Sequence, residues 1–323
     1  MKKLYILIII LLLIFLAFLI WKCWFQPTRI LLTQSEEELP RTYSVFDFKI
    51  PPITVPESML VYQTLPPAID TSFINKFSET FKLNSEIIEM DKYFFVKNGD
   101  KEAEIYKEPG TGLVKYTDFS QIGLEKNISN LPTPEEALNI CQKFLTENEF
   151  ISTGEELFSG SQYFEFAHFD NSGREIEKGK SSISVGFKYT IGDIPVEGPG
   201  AKTTITIGEN RQIIEYIKMW REIEPYQTMK TIDYRTALIE FKSFWPPEAS
   251  SRQMEQVSLL TNVIIEDIYL AYLTRTGSIP QKYLEPVFVF KGYFLIEGEH
   301  QERKIKSTEP FKYIVRAIKE PLD

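Results

Sequence analysis

Cysteine and histidine are scarce in this chain, with two of each in 323 residues. Cys23 adjoins an apolar N-terminal run and Cys141 falls within a predicted helix, so no internal disulfide is expected and the fold must stand on packing. His168 and His300 lie far apart in sequence, whereas a metal centre normally draws on clustered His or Cys. No Gly-x-Ser-x-Gly nucleophile elbow occurs. Nor does a Gly-x-x-x-x-Gly-Lys-[Ser/Thr] phosphate loop. The first 30 residues lack any acidic side chain and carry Lys2, Lys3, Lys22 and Arg29; with a net charge of −9 overall, the remainder carries −13. An acidic body of that kind excludes nucleic acid as a partner, because phosphate backbones select basic surfaces.

Several segments invite a chemical reading and yield to a plainer one. His168 sits in Phe164-Glu165-Phe166-Ala167-His168-Phe169, a strand-like context that favours a surface imidazole over a ligand. His300 falls in an acidic hairpin tip. Asp170-Asn171-Ser172-Gly173 begins like a calcium loop but lacks the later ligands, which leaves a turn. Gly198-Pro199-Gly200-Ala201-Lys202 is followed by a β-branched strand, where a phosphate loop requires a helix. Glu155-Glu156 and the pair Glu222 and Glu224 are the kind of neighbours that 45 acidic residues produce by chance. Trp220-Arg221 ends a strand, either as an exposed aromatic–cation patch or, the expected case, as a packed strand end. No catalytic, cofactor-binding or metal-binding residue is therefore assigned, and no cofactor is expected.

The N-terminus holds what the rest of the chain lacks, a long hydrophobic run. Leu4 to Ile20 would span roughly 26 Å as a helix, and the run to Trp24 about 31 Å, matching a bilayer core of about 30 Å. The run is too long for a cleaved signal peptide, and Leu19-Ile20-Trp21-Lys22-Cys23-Trp24 offers no small-residue cleavage site. Residues 1–24 are thus expected to form a retained single-pass signal anchor, with residues 4–24 in the membrane. Lys2 and Lys3 orient the N-terminus to the cytoplasm and the body to the extracytoplasmic side of the cell membrane. Residues 25–60, with Pro27, Pro40, Pro51, Pro52 and Pro56, read as an extended stalk.

Beyond the stalk one theme recurs three times, a helix followed by several strands. In the first unit, residues 61–129, Phe73, Phe77 and Phe81 mark one helical face and Asn98-Gly99-Asp100 signals a tight hairpin. In the second, residues 130–230, Thr133, Pro134 and Glu136 form a capping box with proline at the first helical position. There Ile183, Val185, Phe187, Tyr189 and Ile191 alternate with smaller or polar residues in a half-buried strand. The third unit, residues 231–323, opens near Asp233 with Ala237, Leu238 and Phe241 facing inward. This arrangement predicts an α+β class, an N-terminal transmembrane helix followed by helix-plus-antiparallel-sheet units.

Ile183 to Trp220, with Gly192-Asp193-Ile194-Pro195-Val196-Glu197-Gly198 at its turn, and the capped helices at Thr133 and Asp233 resemble PepSY-like repeats. An anchor followed by such units is similar to the YycH and YycI type of signal-anchored extracytoplasmic regulators. The resemblance implies a PepSY-like, non-catalytic regulatory module of the cell envelope that contacts a sensor kinase or another envelope protein. It carries no catalytic residues over to this chain. The alternative is an envelope hydrolase whose site is built from dispersed carboxylates.

Overall fold

Alternation of apolar and polar residues runs through most of the chain, and strands are what it builds. In the computed structural model, which describes residues 44–48, 52–83, 86–150, 155–243, 260–300, 303–320 and 322, fifteen strands join one sheet. They are β1 (Ser44–Phe48), β2 (Ser58–Thr64), β3 (Ile87–Glu89), β4 (Tyr93–Asn98), β5 (Lys101–Tyr106), β6 (Leu113–Asp118), β7 (Glu155–Phe169) and β8 (Glu175–Ile191). The remainder are β9 (Ile194–Glu197), β10 (Lys202–Ile207), β11 (Ile213–Met219), β12 (Ile223–Lys230), β13 (Leu260–Leu273), β14 (Tyr283–His300) and β15 (Arg303–Arg316). The strand order is β12-β2-β14-β13-β9-β8-β10-β11-β6-β5-β4-β3, with β15 beside β14, β1 beside β13 and β7 beside β8. Most pairs are antiparallel, but β1 and β9 each run parallel to β13.

Three α-helices are described: α1 (Thr71–Thr80), α2 (Pro134–Glu147) and α3 (Tyr234–Ser243). Each starts where its sequence satisfies the orphan backbone donors of a first turn. Asp70 accepts from Phe73 N at 2.7 Å, and Asp233 accepts from Thr236 N at 2.8 Å. The box at α2 is complete: Thr133 Oγ1 accepts from Glu136 N at 3.2 Å and Glu136 accepts from Thr133 N at 2.9 Å. Two of the two-residue hairpin loops use glycine first. Asn98 pairs with Lys101 around Gly99-Asp100, and Ile191 pairs with Ile194 around Gly192-Asp193, with Gly99 and Gly192 at φ +61° and +57°. Glycine at the first loop position is the pattern of the II′ class, whose backbone twist suits flanking strands.

The expected fold class is corrected by this topology. The body is not a series of helix-plus-antiparallel-sheet units of PepSY-like type but one large mixed sheet carrying three short helices. The pairings that overturn it are long-range: β6 with β11, β2 with β12 and β14, and β9 with β13. Strands of one set hydrogen-bond to strands of the next, so the sets are joined through their edges into a single sheet. Among the described residues no helix is long and apolar enough to cross a membrane. The apolar run of residues 4–24, on which the expected transmembrane helix falls, lies outside the described residues, as does Cys23.

The core lies in separate layers on the sheet. Helices α1 and α2 share one, where Phe77 and Phe81 meet Phe144, Phe150, Tyr116 and Tyr216; Phe81 stacks on Tyr116 at 4.0 Å between ring centroids. Burying each such ring stabilises the fold by about 1.5–3 kcal/mol. Helix α3 covers β13–β15, with Phe241 stacked on Phe290 at 4.5 Å. Phe46 and Phe48 of β1, and Ile53 and Val55 after it, pack on that same layer. Between the two lies a smaller cluster where Tyr189 stacks on Trp220 at 4.3 Å. Before Ile183, residues 175–182 of β8 pair only with β7, so the two form a ribbon past the sheet, with Phe164, Phe169 and Ile176 exposed. Three register shifts interrupt β7 and blunt its outer edge.

Candidate functional site

The face of the sheet that carries α1 and α2 has a concavity at each end of the β6–β11 pair. Register places Leu113 beside Met219 at one end and Thr117 beside Glu215 at the other. The first concavity is a cleft of about 170 Å³. Its floor is aromatic, with Phe73, Phe150, Tyr216 and Trp220, and its rim is charged, with Glu149, Lys218 and Glu222. The Lys218 ammonium donates to Phe150 O at 3.1 Å. Glu149 pairs with Lys76, whose hydrogen bond and charge hold its carboxyl below the usual range. The Trp220 indole N–H has no hydrogen-bond partner among the described residues.

The end wall of the cleft is framed by a junction of three glycine-bearing loops around Arg221. This guanidinium is 1% exposed and all its donors are used. It donates to Gly110 O at 2.7 Å, Thr274 Oγ1 at 2.8 Å, Arg275 O at 2.9 Å, and Thr276 O and Ile279 O at 2.6 Å each. Burial, reinforced by the charge of Arg275, lowers its pKa to about 10, so the group remains a cation at neutral pH. The close approach requires glycine. A Cβ on Gly112 would collide with the Trp220 carbonyl, and one on Gly200 with the Arg275 carbonyl and with Arg221 itself.

The second concavity, about 550 Å³, lies among the C-terminal end of α1, helix α2 and the turn before β11. Lys82, Lys101, Lys143 and Arg211 line it against one carboxylate, Glu147. Lys143 lies 3.7 Å from Glu147, and Arg211 lies 3.0 Å from Glu136.

The segments singled out in the sequence do not converge. His168 is a surface residue between Glu125 at 2.8 Å and Glu177 at 3.5 Å. The side chains of His300, Glu155 and Glu156 lie outside the described residues. Asp170 turns back on its own loop, accepting from Ser172 N, Ser172 Oγ and Arg174 N, and these bonds, the Ser172 hydroxyl's first, hold its carboxyl below the usual range. Gly198 and Gly200 serve the packing of residues 274–275 rather than a phosphate. Trp220-Arg221 is a packed strand end, with Trp220 5% exposed. Glu224 accepts from Gln63 across the β2–β12 pair, while Glu222 lines the cleft. Among the described residues no group of three or more His, Cys, Asp or Glu is placed to hold a metal ion. The features that reasoning from sequence missed are the cleft and the cationic groove. A run of cations at strand and helix ends on an acidic chain was the one available signal for the groove.

No protein-family model and no curated protein matches the chain. Among solved structures, an uncharacterized protein from Eubacterium rectale is similar with a TM-score of 0.47 and 11% identity, over 81% of this chain and 85% of that one.

Proposed function

We propose that this chain is a membrane-anchored extracytoplasmic binding module, non-catalytic and regulatory, whose body engages a sensor kinase or another envelope protein. Residues 4–24 supply the tether, through an apolar length matched to a bilayer. The observation that carries the binding role is the 170 Å³ cleft, with its aromatic floor and charged rim. Pockets for cofactors and drug-sized ligands run from about 300 to 1,000 Å³. The cleft suits a single large side chain inserted from a partner, the kind of anchor that dominates protein interfaces. Its one resolved carboxyl shift, at Glu149, is downward and comes from Lys76. A general acid working near neutrality needs the opposite.

The test is site-specific crosslinking in native membranes. A photoreactive residue at exposed Ala68, on the cleft wall, is expected to capture a discrete envelope protein. Capture should fall at least tenfold in a Lys218→Met, Phe73→Leu variant, which keeps an apolar side chain in the α1–α2 layer and so should melt close to the parent. Recovery of the chain in the soluble fraction of its native cells, or capture indifferent to those substitutions, would overturn the reading.

A further inference from the structure

The groove at the far end of the β6–β11 pair is separate from the cleft and carries its own ligand chemistry. Lys82 and Lys101 line it and form no ion pair among the described residues, although the chain as a whole is acidic. Lys101 opens β5 on the face that carries Ala103 and Ile105 into the core, so its side chain shares the helix-bearing face. Its cross-strand neighbour Asp118 is buried, and one carboxylate oxygen is taken by Ser120 N at 3.1 Å and Ser120 Oγ at 2.6 Å.

A second observation points to a ligand. Tyr116 is only 2% exposed and lines the groove, yet its hydroxyl has no hydrogen-bond partner among the described residues. Burial, together with the charge of Asp118, holds this phenol well above its ordinary pKa, so it stays a neutral donor. The ring is buried while the hydroxyl itself is open to the groove, where it can donate to an incoming acceptor.

The backbone agrees. Of four non-glycine residues with positive φ among the described residues, Lys82 at 55° and Arg211 at 59° both line this groove. Asparagine or glycine is the ordinary occupant of that conformation. Lys82 holds the left-handed position that ends α1, where Leu83 N reaches back to Ser78 O, and its carbonyl accepts from Asn98 Nδ2 at 3.1 Å.

We infer that the groove bordered by Lys82, Lys101 and Tyr116 binds an acidic peptide segment of a partner protein, with carboxylates on the two lysines and the Tyr116 hydroxyl and an apolar side chain on Ile140 and Phe144. The second half of that ligand follows from the wall. Ile140 and Phe144 are partly buried core residues that also line the groove, and its 550 Å³ far exceeds a bare oxyanion. An inorganic ion would leave that wall in water, whereas a peptide covers it.

The experiment uses the full-length chain in detergent and a short capped peptide of alternating glutamate and leucine carrying a fluorophore, read by anisotropy. Binding is expected to weaken steeply with added salt. It should fall at least tenfold in Lys82→Asn, Lys101→Gln and severalfold in Tyr116→Phe. Asparagine at position 82 relieves the left-handed backbone, so the double variant should melt no lower than the parent, which separates lost recognition from lost fold. A peptide with leucine replaced by serine should bind severalfold more weakly. The inference is overturned by an absence of binding, by equal binding of a lysine-for-glutamate peptide, by indifference to the double substitution, or by inorganic phosphate displacing the peptide at equal concentration, which would mark a bare oxyanion site.

Discussion

At the scale of single residues, Arg221 is the most consequential side chain. A buried cation without a carboxylate is normally costly, because the charge leaves water and nothing opposite repays it. Here five N–H groups meet five oxygens drawn from loops on both sides of the sheet junction. Arg221→Met should destabilise the chain by about 3–5 kcal/mol in urea unfolding, since it removes five buried hydrogen bonds at once; the carbonyls of Gly110, Arg275 and Thr276 would each keep one donor, from Gln281 N, Thr274 Oγ1 and Ile279 N. Arg221→Lys should recover only part of that, because a point ammonium has three donors and no fork. An Arg221→Met midpoint equal to the parent would refute the role. Little of this was legible in sequence. Trp220-Arg221 showed a strand end, and Gly198 and Gly200 a glycine-rich segment before a strand. That they converge depends on contacts 53 to 111 residues apart along the chain.

A second residue makes stability depend on pH. Burial pushes the Glu197 carboxyl up, but hydrogen bonds from Lys312 at 2.6 Å and Tyr269 at 2.5 Å, with the charges of Lys312 and Lys291, outweigh it and leave the pKa below its ordinary 4.5. A folded pKa below the unfolded one means the contribution is present above about pH 4.5 and is lost as pH falls through the lower, folded value. Glu197→Gln should therefore cost about 1 kcal/mol at pH 7, discounted because Lys312 is partly exposed. The gap from the parent should narrow progressively as melts are taken from pH 4.5 downward. A difference that stays constant from pH 3 to 7 would place the effect elsewhere.

At the scale of elements, local signals were read correctly and distant ones were not. The starts of α1, α2 and α3 rest on Asp70, Thr133 and Asp233, each bonded to a backbone N–H three residues on, and such short-range chemistry is visible in sequence. Thr133→Ala should cost about 1 kcal/mol, and Thr133→Ser nearly nothing, by thermal or urea unfolding. Equal losses for both would assign the effect to the threonine methyl rather than to the cap. The Asn98-Gly99-Asp100 hairpin was legible too, although its loop residues prove to be Gly99-Asp100, with Asn98 still in the strand. Strand partners were not legible. Period-two alternation says which face of β6 or β11 is buried, but it is silent on which strand lies alongside. The parallel pairing of β1 with β13 spans most of the chain and left no local trace.

At the scale of the whole molecule, continuity of the sheet decides how the body folds. Separate helix-plus-sheet units would each own a core and unfold alone. Instead β11 relies on β6 for one neighbour, β12 has only β2, and β9 bridges β8 to β13. The layer between the two helical cores, with Tyr189, Trp220, Tyr272 and Leu284, mixes residues from across the sheet. A fragment of residues 130–230 would expose the bonding edges of β11 and β12 and lose Phe77 and Phe81 from beneath α2. Such a fragment should show no cooperative melt and should aggregate through its bare edges. Residues 43–323, by contrast, should unfold in one transition, with the same midpoint followed by tryptophan fluorescence near the junction and by far-ultraviolet circular dichroism of the sheet. Two separated midpoints, or an independently folded 130–230 fragment, would show that the helical cores are energetically distinct despite the hydrogen-bonded sheet between them.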